Sequence, residues 1–206
     1  MKDKERSSHM QVTFISKGET LPATLYANSS KGVILCLPHP LYGGTRNDTR
    51  IIRVARELAS HDISALCLDY GSYGKVVKEV QNVLDAISFM RKRVDALGLL
   101  DYSFGAVVAS NVAVQTKIDG FVAMSVLKKT NGLTANLRFD CSKLFVHGKR
   151  DKVAPYSDFE QLYRKASERK EKLVLDTDHF YMENYPTLID LTSKSICKFF
   201  LQIFSK

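Results

Sequence analysis

No stretch of the 206-residue chain approaches the ~20 consecutive apolar residues that cross a bilayer, so the sequence offers no membrane span. The first ten residues, rich in charge, lack the apolar core of a secretory signal, and a cytoplasmic location is the resulting expectation. Residues 1–10 are expected to be a mobile arm or a cloning remnant outside a single domain of 11–206. Proline is scarce, at 5, and there is no repeat, no low-complexity segment and no linker rich in Pro, Gly or Ser, which argues against a second domain. The four cysteines, Cys36, Cys67, Cys141 and Cys197, form no C-x-x-C pair, so neither a zinc site nor a disulfide framework is expected. A net charge of +8 is spread among acids along most of the chain, and no nucleic-acid motif accompanies it.

What is present is alternation. Short apolar runs at 33–37, 63–68, 97–101, 120–126, 143–147 and 172–175 have the length and continuity of strands covered on both faces. Between them lie amphipathic stretches of helical period. Ile51, Ile52, Val54, Ala55, Leu58 and Ala59 follow Asn47 or Asp48 as the N-cap; Val76, Val80, Val83, Leu84, Ile87, Met90 and Val94 mark a second helix; further helices are expected over 104–115, 156–169 and 187–204. Residues 12–15 and 20–27 around Lys17-Gly18-Glu19 read as an antiparallel hairpin at the sheet edge. Repeated strand–helix units make this an α/β protein with a mostly parallel sheet. Only about 16 residues separate the strands ending near Val126 and starting near Lys143, too few for a helical lid, so an open site is expected.

Leu99-Leu100-Asp101-Tyr102-Ser103-Phe104-Gly105-Ala106 joins a buried strand directly to an apolar helix. In such a strand-to-helix elbow the central serine is strained, its hydroxyl stands above the sheet, and the next N–H, that of Phe104, points at the place where an oxyanion would develop. Gly105 supplies the small neighbour the turn needs. Asp101 stands where the G-x-S-x-G pattern has its first glycine, so the turn must open or the carboxylate must find donors, and its charge would bear on the site. Taken alone, Ser103 could simply cap the helix.

Two more residues complete the constellation. Asp151 follows the strand at 143–147, and His179 follows the last strand, so both fall at the carboxyl edge of the sheet together with Ser103. A serine hydroxyl needs a base such as an imidazole, and the imidazole needs a carboxylate to fix its tautomer. Asp176 and Asp178 compete with Asp151 but sit too close to His179 in sequence to reach its ring. Read singly, Asp151 is an ordinary turn residue and His179 an ordinary loop histidine; their chain order raises them together. The loop His39-Pro40-Leu41-Tyr42-Gly43-Gly44 can offer backbone donors, and the N–H of Leu41 is the second expected oxyanion contact. His39 reads as a residue that shapes this loop, and Gly43 and Gly44 as conformational. Arg46, Lys149 and Arg150 could rim the mouth and draw an anionic substrate.

These segments resemble the α/β-hydrolase superfamily, specifically its small lidless members similar to dienelactone hydrolases, from Gly32 onward. His39 to Gly44 is similar to an H-P-x-x-G-G loop, residues 69–75 to a D-x-R-G-x-G-x-S segment without its arginine, and His147-Gly148 with Asp151 to an H-G-x-x-D segment. His179-Phe180 matches the terminal histidine. The resemblance implies a three-layer α/β/α sandwich with an eight-stranded sheet and no lid domain. It also implies hydrolysis of a small-molecule ester or related acyl compound by Ser103, His179 and Asp151, with no metal or organic cofactor called for. A peptidase or thioesterase would use the same residues, and a binding protein that kept the fold without turnover is the rival of another class.

Overall fold

The computed structural model describes residues 9–205. The chain runs β1 (His9–Ser16), β2 (Glu19–Tyr26), β3 (Lys31–Cys36), α1 (Thr49–Ala59), β4 (Ser64–Leu68), α2 (Val77–Met90), β5 (Ala96–Tyr102) and α3 (Phe104–Ala113). It continues with β6 (Gly120–Met124), the two-residue strands β7 (Lys129–Thr130) and β8 (Leu133–Thr134), β9 (Ser142–Gly148), α4 (Tyr156–Lys165), β10 (Lys170–Leu175) and α5 (Thr187–Phe204). Eight strands form one sheet in the order β1-β2-β4-β3-β5-β6-β9-β10. The β1–β2 and β2–β4 pairings are antiparallel and the other five are parallel. The hairpin lies at the edge, as its sequence suggests. Its first strand starts earlier than expected: His9 and Met10 pair with Tyr26 and Leu25, so only residues 1–8 of the expected arm lie outside the described residues.

The continuous apolar runs become strands because both faces of the sheet are covered. Every residue of β4 and β6 is buried. A side chain on Gly32 would meet Met90 of α2, and one on Gly98 would meet Phe200 of α5. Gly32 pairs with Leu97, the neighbour of Gly98, so α2 and α5 lie on opposite faces. Helices α1 and α5 contact one another on one side, and α2 and α3 do so on the other.

Several boundaries differ from the sequence expectation, those of α2, α4 and β6 for local reasons. Val76 takes a left-handed φ of 76°, so α2 starts at Val77, and it ends at Met90 although Val94 stays buried. Helix α4 stops at Lys165, where Ala166 turns extended at ψ 141°, and does not reach 169. Strand β6 ends at Met124, because Ser125 adopts φ 42°. The connection from β6 to β9 holds only the small hairpin β7–β8 and no lid.

Parallel pairing brings the carboxyl ends of β3, β5, β9 and β10 to one edge. The loops that leave it carry His39, Ser103, Asp151 and His179. From β3 the chain goes to β4 on one side and then crosses back from β4 to β5 on the other side of β3, and this reversal opens a crevice at that edge where α/β sheets bind ligands.

Candidate active site

Ser103 sits between β5 and α3 with φ 58° and ψ −115°, a backbone conformation that non-glycine residues rarely adopt. Two contacts hold it there. Its N–H donates to Met124 O at 2.9 Å, and α3 packs so closely behind it that a Cβ on residue 105 would lie 2.5 Å from Leu37 O. Gly105 is therefore required by approach, as the elbow reading anticipates. The Phe104 N–H, first in its helix, has no protein acceptor among the described residues and adds the positive end of α3.

The three dispersed residues meet in one hydrogen-bonded line. His179 Nε2 lies 3.0 Å from Ser103 Oγ, and His179 Nδ1 lies 2.7 Å from Asp151 Oδ2. Asp151 Oδ1 accepts the N–H groups of Val153 and Ala154 at 2.9 and 2.7 Å. Burial pushes the Asp151 carboxyl up, but the hydrogen bonds from His179 and the Ala154 N–H outweigh it and hold the pKa below the ordinary value. An ionised carboxylate only accepts, so it places the ring proton on Nδ1 and leaves Nε2 free to accept from the serine hydroxyl. The rival acids are engaged elsewhere: Asp176 pairs with Arg150, and Asp178 Oδ1 accepts the Phe180 N–H.

His147 supports the turn beneath Asp151. Its buried ring stacks on Phe159 at 4.4 Å and its Nε2 bonds to Ala154 O at 2.9 Å. Burial lowers its pKa, so it stays neutral and donates.

One expected oxyanion donor is corrected. The Leu41 N–H points at His39 Nδ1, 3.2 Å away, and so is already used, because the loop folds into a short 3-10 turn at 40–42 capped by the His39 side chain. Leu41 does not line the cleft, whereas His39 does. The His39 N–H has no acceptor among the described residues, and its ring packs 4.5 Å from Phe104. Burial lowers the His39 pKa, consistent with a neutral ring that accepts from Leu41.

Asp101 neither opens the elbow nor charges the site. It is fully buried on the face that carries α2 and α3, beside Cys36, its partner on β3, and near Tyr70. Burial raises its pKa well above the ordinary value, with the Cys36 thiol a weak counterweight, and the carboxyl is held neutral. A neutral Asp101 puts no charge beside His179.

Two further residues escaped the sequence reading. Tyr102 Oη donates to His179 O at 2.6 Å, and the Tyr102 ring stacks on the imidazole at 5.4 Å. Arg50 in turn donates to Tyr102 Oη at 2.6 Å and is held by Asp48, the N-cap of α1. A tyrosine immediately before the serine was the available signal; its partners lie 52 and 77 residues away in sequence. Pro38, His39, Asp48, Arg50, Ser103 and Phe180 are among the residues around a cleft of about 420 Å³. Arg46 is paired with Asp69 and Arg150 with Asp176 and Glu183, and neither lines the cleft; Lys149 is exposed.

No family model matches the sequence, and no curated protein does. Solved structures match closely. An alpha-beta serine hydrolase homologue from Coxiella burnetii superposes with a TM-score of 0.81 at 20% identity, over 91% of this chain and 97% of that one. The chain has the α/β-hydrolase fold. XC6422 from Xanthomonas campestris, described as a serine hydrolase without lid, matches this α/β-hydrolase fold at TM-score 0.78 and 16% identity, covering 96% and 95%. The Pyrococcus furiosus esterase Pf2001 matches at 0.81 and 17%, covering 95% and 93%. The four cysteines are free and buried, and no described helix is long and apolar enough to cross a membrane.

Proposed function

We propose that this protein is a serine hydrolase that cleaves small carboxylic esters through an acyl-enzyme on Ser103. The observation that carries the reading is the unbroken hydrogen-bonded line from Asp151 through His179 to a serine held in a strained elbow. Ser103 Oγ attacks the ester carbonyl while His179 Nε2 takes its proton. Asp151 keeps the ring in the required tautomer and stabilises the imidazolium. The developing oxyanion is received by the N–H groups of Phe104 and His39, the latter in place of Leu41. His179 then returns the proton to the departing alcohol, water attacks the acyl-serine with His179 again as base, and the acid leaves.

The absence of a lid between β6 and β9 favours short acyl groups, and the likeness to an esterase supports an ester as the bond cleaved. A series of p-nitrophenyl esters tests the reading. Acetate and butyrate are expected to turn over faster than laurate, and Ser103→Ala is expected to bring hydrolysis to the rate without protein. Hydrolysis that survives Ser103→Ala would contradict it.

A further inference from the structure

Charge around the cleft cancels within the wall itself. Of its lining residues only Asp48 and Arg50 carry full charge at neutral pH, and they are bound to each other. Arg50 Nε donates to Asp48 Oδ1 at 2.9 Å and Nη2 to Oδ2 at 2.5 Å, while Nη1 is taken by Tyr102 Oη and, at 3.4 Å, by Phe180 O. The two side chains are 14% and 9% exposed. Burial alone would lower the Arg50 pKa, but the bond to Asp48 outweighs it, so the guanidinium stays charged. The most exposed side chains around the cleft are Tyr42, Val153 and Phe180, 87%, 52% and 51% exposed, and each presents a mainly apolar body.

We propose that the cleft selects an uncharged ester with a compact apolar or aryl group, and that Asp48 sets this selection by neutralising Arg50. The proposal rests on the cleft being the ester-binding site of Ser103. A substrate carboxylate entering here gives up its hydration to a guanidinium whose charge is already matched, so its desolvation is not repaid. An apolar group instead gains contact with Tyr42, Val153 and Phe180. With Asp48 replaced by an uncharged residue, the guanidinium charge is no longer matched and Nη2 loses its carboxylate partner, so both can draw a substrate carboxylate. Asparagine at position 48 keeps an oxygen that can accept the Arg50 N–H, so the cap of α1 is retained.

The test compares methyl benzoate with monomethyl terephthalate, which share a ring and an ester and differ by one carboxylate. Their dissociation constants are measured by NMR titration on Ser103→Ala and on Ser103→Ala with Asp48→Asn. The neutral ester is expected to bind Ser103→Ala at least about tenfold more tightly, a difference of about 1.4 kcal/mol, and Asp48→Asn is expected to shift the ratio about tenfold toward the carboxylate. Equal binding of the two esters, a ratio that Asp48→Asn leaves unmoved, or binding of neither would overturn the proposal. The first comparison needs no variant at position 48. The expected charge preference together with a wild type that fails to cleave methyl benzoate would uphold the selection and contradict the Ser103 mechanism.

Discussion

Asp101 and Asp151 are both buried carboxyls near the same serine, 0% and 5% exposed, and they end in opposite protonation states. Asp151 accepts two backbone N–H groups and an imidazole N–H, and its pKa is held down. Among the described residues no nitrogen or oxygen donor reaches either oxygen of Asp101, only the weakly donating Cys36 thiol lies beside it, and burial drives its pKa up. Depth in the protein therefore does not decide whether a carboxyl carries charge; the donors aimed at it do. In the proposed mechanism the charged Asp151 serves the chemistry, while Asp101, on β5, stays neutral.

The comparison breaks most visibly in turnover. Asp151→Asn is expected to lower kcat for a short ester by about 10⁴-fold, the scale seen when a triad carboxylate loses its charge. Asp101→Asn is expected to lower it by less than tenfold; equal losses would place both carboxyls in the mechanism.

Stability against pH separates them next. The Asp101 pKa is raised in the folded state, so the stability tied to its neutral form is complete below the unfolded pKa near 4 and is lost as pH rises toward the folded value. The loss runs at up to about 1.4 kcal/mol per pH unit. Asp151 has the opposite sign: its contribution is present above the unfolded value and lost as pH falls through the lowered folded one. Urea unfolding from pH 4 to 8 should show Asp101→Asn gaining on the wild type steadily as pH rises. Parallel profiles would mean that Asp101 is ionised.

Tyr102→Phe tests how the relay is held. It keeps the ring stacked on His179 but removes the hydroxyl that grips the histidine's carbonyl and meets Arg50. A fall of about tenfold in kcat with KM little changed is expected, whereas unchanged kcat would show that stacking suffices. Tyr70→Phe, next to Asp101, is expected to alter stability by less than about 1 kcal/mol, because among the described residues the Tyr70 hydroxyl has no nitrogen or oxygen partner to lose, only the weakly bonding Cys36 thiol beside it. A larger loss would reveal a bond to the Asp101 cluster.

Much of this was legible in the chain itself. The buried strands announce themselves as continuous apolar runs, and Gly105 behind Ser103 marks the elbow because nothing larger fits against Leu37 O. Chain order was enough to place Asp151 and His179 at the same edge. The misses share a cause. Which N–H of the 39–44 loop stays free depends on where the His39 ring swings, and that choice follows from packing against Phe104. Arg46 and Arg150 read as rim cations until their partners Asp69, Asp176 and Glu183 arrive from distant segments. The β7–β8 hairpin is too short to leave a period, and the fate of Asp101 depends on which donors fold around it.

The most direct test of the account is covalent. Diisopropyl fluorophosphate is incubated with the protein, and the modified residue is located by mass spectrometry of the peptides. A single adduct on Ser103, formed far more slowly in His179→Ala, is the predicted result. An unmodified protein, or an adduct on another residue, would contradict the claim that Asp151 and His179 activate Ser103 as a nucleophile.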